Sequence, residues 1–79
     1  TMRQKQLRVI LTFPAAVDAM AMESYGAAHQ VPGRLIPLPS AVSAGCGLCW
    51  SAPPEARDAV EAAAQEAGLR TGGIYELML

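Results

Sequence analysis

The stretch Arg34-Leu-Ile-Pro-Leu-Pro-Ser-Ala-Val-Ser-Ala-Gly-Cys-Gly-Leu-Cys-Trp-Ser-Ala52 decides the fold, because it holds two extended segments with no helix between them. The first segment spans residues 34–38 and the second spans residues 45–52. A loop of small residues, 39–44, joins them. Pro37 has no N–H to donate to a strand ladder, so the first segment is expected at the edge of a sheet.

A strand and a helix flank this central pair on each side. Residues 7–13 are aliphatic and β-branched and predict a buried strand, and residues 15–28, rich in Ala, Met and Glu, predict a helix. Residues 55–67 predict a second helix, and residues 74–79 predict a last strand. The order β-α-β-β-α-β predicts an α+β, ferredoxin-like fold, with two helices on one face of a four-stranded antiparallel sheet of strand order 4-1-3-2.

Apolar spacing predicts which side of each helix is buried. The stripe predicted for the first helix is Val17, Met20, Ala21, Ser24 and Ala28. The stripe predicted for the second helix is Ala56, Val60, Ala63 and Ala67.

Composition limits the classes of protein to be considered. The 79 residues are expected to form a single domain, 1–79, with an ordered core from about residue 7 to residue 79. Apolar residues make up 52% of the chain and charged residues 16%, which argues against intrinsic disorder. The net charge is −1 and no basic stripe is present, so nucleic-acid binding is not expected.

The expected location is the cytoplasm. No apolar run approaches the ~20 residues that a membrane-spanning helix needs, and the chain does not open with a basic segment followed by an apolar one. Two cysteines do not make a disulfide framework. In a reducing compartment, cysteines serve in packing, as reactive thiols or as metal ligands.

Cys46 is the main candidate for chemistry. In the predicted topology, the end of the first strand, the 39–47 loop and the turn at residues 70–73 all lie at one end of the sheet. Strand alternation directs Cys46 to the helix side, near the start of the first helix at Ala15 and Ala16. Free amides and the helix dipole favour a thiolate there. Gly45 and Gly47 leave room for a reactant to approach.

The other reading of Cys46 is a small hydrophobic residue in the core, which is common for free cysteine. Arg70, at the same end of the sheet, is a candidate anion contact, although surface solvation is the more usual role of such a residue.

Cys49 lies three residues further on and is predicted to face the opposite side of the sheet. The residues assigned to that open face are Arg8, Ile10, Thr12, Ile74, Glu76 and Met78. This mixed face could pair two copies of the chain, with Cys49 lining the dimer surface. A disulfide to Cys46 would need a bulge or twisted turn, because residues three apart on a strand point to opposite faces.

A metal site within one chain is not expected, and neither is any other cofactor. A closed zinc site needs four ligands, and His29 is predicted at the far end of the sheet from both cysteines. A metal site shared across a dimer through both cysteines remains open.

The sequence resembles the DUF3343 family, described as putative Se/S carrier protein-like. The resemblance rests on Phe13 before a helix, on Arg34-Leu-Ile-Pro-Leu-Pro39, on Cys46-Gly-Leu and on Gly73-Ile-Tyr-Glu76. It covers about residues 7–76. The family's characteristic cysteine falls on Cys46. The family usually has a small residue at the position of Cys49, and serines where this chain has Ala44-Gly45.

The resemblance implies that Cys46 carries sulfur or selenium as a persulfide or selenide. Such a protein exchanges its cargo with donor and acceptor proteins and need not be an enzyme. A regulatory module that binds a small ligand or dimerises, and a metal-binding dimer using Cys46 and Cys49, are the alternatives.

Overall fold

The computed structural model describes residues 5–43 and 45–79. Residues 1–4, and Ala44 at the end of the predicted loop, lie outside the described part. The elements in chain order are β1 (Leu7–Thr12), α1 (Ala16–His29), β2 (Arg34–Pro37), β3 (Leu48–Ala52), a 3-10 turn (Pro54–Ala56), α2 (Arg57–Glu66) and β4 (Ile74–Met78). None of the described helices is long and apolar enough to cross a membrane.

The four strands form one antiparallel sheet in the order β2-β3-β1-β4. This order is the predicted 4-1-3-2 read from the other edge, so the predicted α+β fold is confirmed. Pro37 lies in edge strand β2, as its missing N–H requires.

The main core lies between the sheet and both helices. Leu11 and Trp50 are paired across β1 and β3, and their side chains share a buried cluster with residues of α1 and α2. The members contributed by the 3-10 turn and α2 are Ala56, Val60, Ala63 and Ala64. The predicted inward stripe of the second helix is therefore largely confirmed, with Ala67 half-buried.

The predicted inward stripe of α1 is wrong. Val17 and Met20 are 67% and 59% exposed, while Ala19 and Met22 are buried. Alanines on every side of this helix make its apolar face ambiguous in the sequence. The buried side of α1 also depends on two long-range contacts. These are the ion pair of Asp18 with Arg70 and the packing of Trp50 on Gly26.

The face assignment of β4 is also wrong. Glu76 lies opposite Val9, and Ile74 lies opposite Leu11, so both belong to the helix side of the sheet together with Met78. Tyr75 and Leu77 face the other side, because β4 enters the ladder one residue out of step with the predicted alternation.

The face opposite the helices is shielded at its centre. Ile10, Thr12 and Cys49 are fully buried, and Ser51 is 4% exposed. The Arg8 guanidinium lies across this face and donates to Ser51 Oγ at 3.0 Å. The exposed apolar surface on this side is therefore at the β4 edge, where Tyr75 is 40% exposed.

Candidate functional site

Cys46 lies in a turn immediately before β3. Gly45 and Gly47 on either side of it have φ values of +68° and +85°, a left-handed conformation that costs a side-chain-bearing residue free energy. The predicted strand at residues 45–52 accordingly begins only at Leu48. The Cys46 side chain is half-buried against the helix-side core, and its Sγ lies 3.8 Å from the Leu48 carbonyl oxygen.

The turn is fastened to the junction between β1 and α1. The Cys46 N–H donates to the Phe13 carbonyl oxygen at 3.1 Å. A Cβ at Gly45 would overlap that same oxygen, so only glycine allows the backbone to approach this closely. At Gly47 a Cβ would meet nothing within 4 Å, which leaves open space beside the cysteine. The two glycines therefore have different roles: Gly45 permits close packing and Gly47 leaves an approach.

α1 begins at Ala16, three residues after Phe13. Ala15 is the N-cap residue in an extended conformation, and no side chain caps the first turn, which starts with the exposed Ala16. The structure thus brings the Cys46 backbone, Ala15 and Ala16 to one end of the sheet, as predicted.

Arg70 also reaches this helix terminus. Its guanidinium lies 3.3 Å from the carboxylate of Asp18 in the first turn of α1. The Arg70 side chain is 72% exposed, whereas that of Asp18 is only 12% exposed. A cation with open access therefore lies at the N-terminal turn of α1.

Thr12 is a residue of this region that the sequence did not single out for the site. Its buried hydroxyl oxygen accepts from the Gly73 N–H at 2.7 Å and its hydroxyl lies 3.2 Å from the Gly73 carbonyl oxygen. The Gly72 N–H also donates to the Thr12 carbonyl at 2.8 Å. These contacts join the turn before β4 to the end of β1. A threonine in a strand is ordinary in sequence, so no pattern could have marked it.

Cys49 is buried within the sheet. It lies within β3 opposite Thr12 and Ile36, on the face away from the helices, with its Sγ 3.9 Å from the Pro37 carbonyl oxygen. Its face agrees with the prediction, but the residue is fully buried and lines no exposed surface of the described chain. Burial, and secondarily the nearby Cys46 thiol, raises the pKa of Cys49 from 9.0 to about 11.

This raised pKa predicts a stability change at alkaline pH. Above pH 9 the unfolded chain releases the Cys49 proton while the folded chain keeps it, so stability is full below about pH 9 and falls as pH rises towards 11. We expect Cys49 to account for a loss of about 2–3 kcal/mol across this window. Urea unfolding at pH 8 and at pH 11 measures it, with the Cys49→Ala variant as the reference. An equal pH slope in both proteins would contradict the prediction.

Among the described residues, no group of three or more His, Cys, Asp or Glu side chains is placed to hold a metal ion. His29 lies at the C-terminal end of α1, opposite to the helix end near Cys46, and its ring stacks on Tyr25 at 4.1 Å. The Tyr25 hydroxyl in turn donates to Glu66 at 3.0 Å, which joins the two helices. His29 is therefore accounted for by stacking within α1 on the tyrosine that bonds to α2.

Together these features define a small α+β protein with one accessible thiol in a glycine-flanked turn and a second thiol enclosed in the sheet. The model of the family described as putative Se/S carrier protein-like matches residues 8–76, which is most of the chain. The protein belongs to this family. Comparisons with curated proteins and with solved structures gave no match.

Proposed function

We propose that this protein is a cytoplasmic carrier that holds sulfur or selenium on Cys46 and passes it from a donor protein to an acceptor protein. The proposal rests on the surroundings of Cys46. This residue is half-buried and has glycine on both sides, and its N–H is bonded to Phe13 at the β1–α1 junction. Membership of the family supports the same cargo.

Loading is a thiol exchange on the donor's persulfide. The Cys46 thiolate attacks the outer sulfur of R–S–SH, an S–S bond forms at Cys46, and the donor leaves as the thiolate R–S⁻. A donor of the form R–S–SeH delivers selenium in the same way. No external oxidant is needed, because the transferred atom is already oxidised relative to sulfide or selenide. Unloading to an acceptor thiol is the reverse exchange.

The surroundings of Cys46 suit an anionic cargo. A persulfide on Cys46 ionises readily, and a negative charge is stabilised near the uncapped amides of a helix N-terminus. Ala15 and Ala16 supply that terminus, and the exposed Arg70 beside it offsets the charge of Asp18 in the first turn. In this proposal Gly47 provides the opening through which the donor and acceptor sulfurs reach Cys46.

Enclosure of Cys49 protects the cargo. An accessible Cys49 thiolate would attack the Cys46 persulfide, form an intramolecular disulfide and release HS⁻. Cys49 is fully buried on the other face of the sheet, and its pKa of about 11 keeps it protonated near neutral pH. The thiol is the poor nucleophile of the two forms, so the cargo stays on Cys46 until an external thiol arrives.

We expect a persulfide donor to add one sulfur atom to the wild-type protein, and a selenium-bearing donor one selenium atom, with Cys46 as the modified residue. Intact-mass spectrometry followed by peptide mapping measures the adduct. Cys46→Ser should abolish it, whereas Cys49→Ala should be loaded to the wild-type extent.

Equal labelling of Cys46→Ser, or loss of the adduct in Cys49→Ala with its fold intact by circular dichroism, would refute the assignment. A second arm adds an acceptor thiol after loading. A carrier is expected to transfer the added sulfur or selenium atom fully to that thiol. Retention of the atom on Cys46 would contradict the proposed carrier function.

A further inference from the structure

The outer edge of β4 is unpaired in the described part of the chain. In an antiparallel ladder, alternate residues direct their N–H and C=O groups at one neighbouring strand, and the residues between them direct theirs the other way. Gln6 and Leu79 exchange two hydrogen bonds of 2.8 and 2.9 Å, and the Thr12 N–H donates to Gly73 at 2.9 Å. Tyr75 and Leu77, at the same phase of the ladder, therefore also bond to β1.

The three residues of opposite phase face outward from the sheet: Ile74, Glu76 and Met78. Each presents a backbone N–H and a C=O on the free edge, and no strand among residues 5–43 and 45–79 pairs with them. These six groups form a continuous hydrogen-bonding edge.

β4 carries fewer of the features that protect sheet edges than β2 does. Natural edge strands are protected by proline, by charged side chains (lysine above all), by bulges or by shortness. β4 contains no proline or lysine, and four of its five residues are apolar, Glu76 being the exception. In β2, which has four residues, Pro37 falls on the outward phase and has no N–H, so the Leu35 N–H is the one outward donor of that strand.

Apolar surface is concentrated at the same edge. Tyr75 is 40% exposed, Met78 is 57% exposed, and Leu7, the partner of Met78 in the ladder, is 41% exposed. Large apolar side chains flanking an unpaired strand edge on both faces of the sheet favour burial against another sheet.

We propose that β4 pairs antiparallel with β4 of a second copy across a two-fold axis at Glu76, which joins two four-stranded sheets into one of eight strands. This register places Glu76 opposite Glu76 of the second copy, and Ile74 opposite its Met78. All six outward groups of each chain are then satisfied. Registers displaced from Glu76 leave some of them unpaired.

The two-fold register also brings two carboxylates together, which is unfavourable for bare charges. Each Glu76 carboxylate carries its own cation, however, because Arg57 lies 3.3 Å from it. The same guanidinium lies 3.0 Å from Glu61, so it offsets part of the charge on each Glu76 carboxylate at the axis. Within residues 5–43 and 45–79, β4 is the one unprotected edge. Pairing through it therefore closes as a dimer and does not grow into a filament.

Sedimentation equilibrium over a range of protein concentrations tests the pairing. Wild type is expected at twice the mass of the chain. Glu76→Pro removes an outward N–H without touching the bonds to β1, and should weaken association at least about tenfold. Glu76→Gln keeps the N–H, removes the facing charges and should dimerise at least as tightly as wild type. Met78→Pro, nearer the strand end, is a second disrupting variant should Glu76→Pro fail to fold.

A disulfide trap tests the register. In a Cys46→Ser background, Glu76→Cys places two sulfurs across the axis, where paired Cα atoms lie about 5.5 Å apart and a disulfide can form. Met78→Cys is the control, because its counterpart is displaced by four residues, about 14 Å. Mild oxidation should cross-link the first and leave the second monomeric on a denaturing gel.

A monomeric wild type at every concentration overturns the proposal. Equal cross-linking of the two cysteine variants, or equal weakening by Glu76→Gln and Glu76→Pro, overturns the backbone pairing and its register. None of these readouts depends on the carrier role of Cys46.

Discussion

Replacing Gly45 with alanine is expected to slow the loading of Cys46 by a persulfide donor at least about tenfold, which corresponds to about 1.4 kcal/mol in the barrier. The added Cβ would overlap the Phe13 carbonyl oxygen. The turn must then move outward and release the hydrogen bond from the Cys46 N–H to that oxygen. The Cys46 backbone would lose its attachment to the β1–α1 junction, and the thiol its fixed position.

The same substitution is expected to lower the free energy of unfolding by about 2–3 kcal/mol. A left-handed residue with a side chain costs about 1–2 kcal/mol, and the lost hydrogen bond about 1 kcal/mol more. Loading kinetics followed by mass spectrometry and urea unfolding followed by circular dichroism measure the two effects.

Gly47→Ala is the matched control for Gly45→Ala. Both glycines are left-handed and both flank Cys46, but a Cβ at Gly47 meets nothing within 4 Å. The control should show the conformational cost of about 1–2 kcal/mol. Because one methyl group fills little of the open space beside Gly47, its loading rate should change less than that of Gly45→Ala. If the two variants load at the same rate, close approach to Phe13 is not what positions Cys46.

The fold was predictable because local signals agree with one another. Proline at residue 37 forbids a central strand, and two extended segments between two helices leave few topologies. The cysteine turn was recognisable in part, since glycine on both sides of Cys46 is typical of a backbone that leaves the strand conformation. These are properties of residue types at fixed spacing.

The contacts that complete the site were not predictable, because they join distant parts of the chain without a residue-type signature. The partner of the Cys46 N–H is a main-chain carbonyl, at Phe13, and every residue has one. The side of α1 that is buried depends on Arg70, 52 residues from Asp18, and on the ring of Trp50. Alternation gave the face of Cys49 correctly, but complete burial depends on neighbouring side chains across the sheet.

Trp50→Ala is expected to have the largest effect on stability, a loss of about 3–5 kcal/mol. The side chain is 4% exposed at the centre of the helix-side core, and its Nε1–H donates to the Pro32 carbonyl oxygen at 2.9 Å. A chain of 79 residues has roughly 4–12 kcal/mol of stability in total, so this loss is a large part of it. Urea unfolding followed by circular dichroism measures the change.

Two glycines lie so close to the Trp50 indole that a side chain at either position would collide with its surroundings. A Cβ at Gly26 would lie 2.7 Å from Trp50 Cη2, and one at Gly33 would overlap the Ser51 carbonyl oxygen and approach the indole nitrogen. Trp50 therefore fixes the position of α1 and of the turn before β2 as well as filling the core.

A double-mutant cycle separates these roles. In the wild type, Gly26→Ala should destabilise the protein despite alanine's helix propensity, because the methyl group meets the ring. In a Trp50→Phe background the smaller ring leaves room, and the same substitution should instead stabilise the protein by up to about 1 kcal/mol. Trp50→Phe alone loses the hydrogen bond to Pro32 and should cost about 1–3 kcal/mol. An identical effect of Gly26→Ala in both backgrounds would mean that the ring does not set the position of α1.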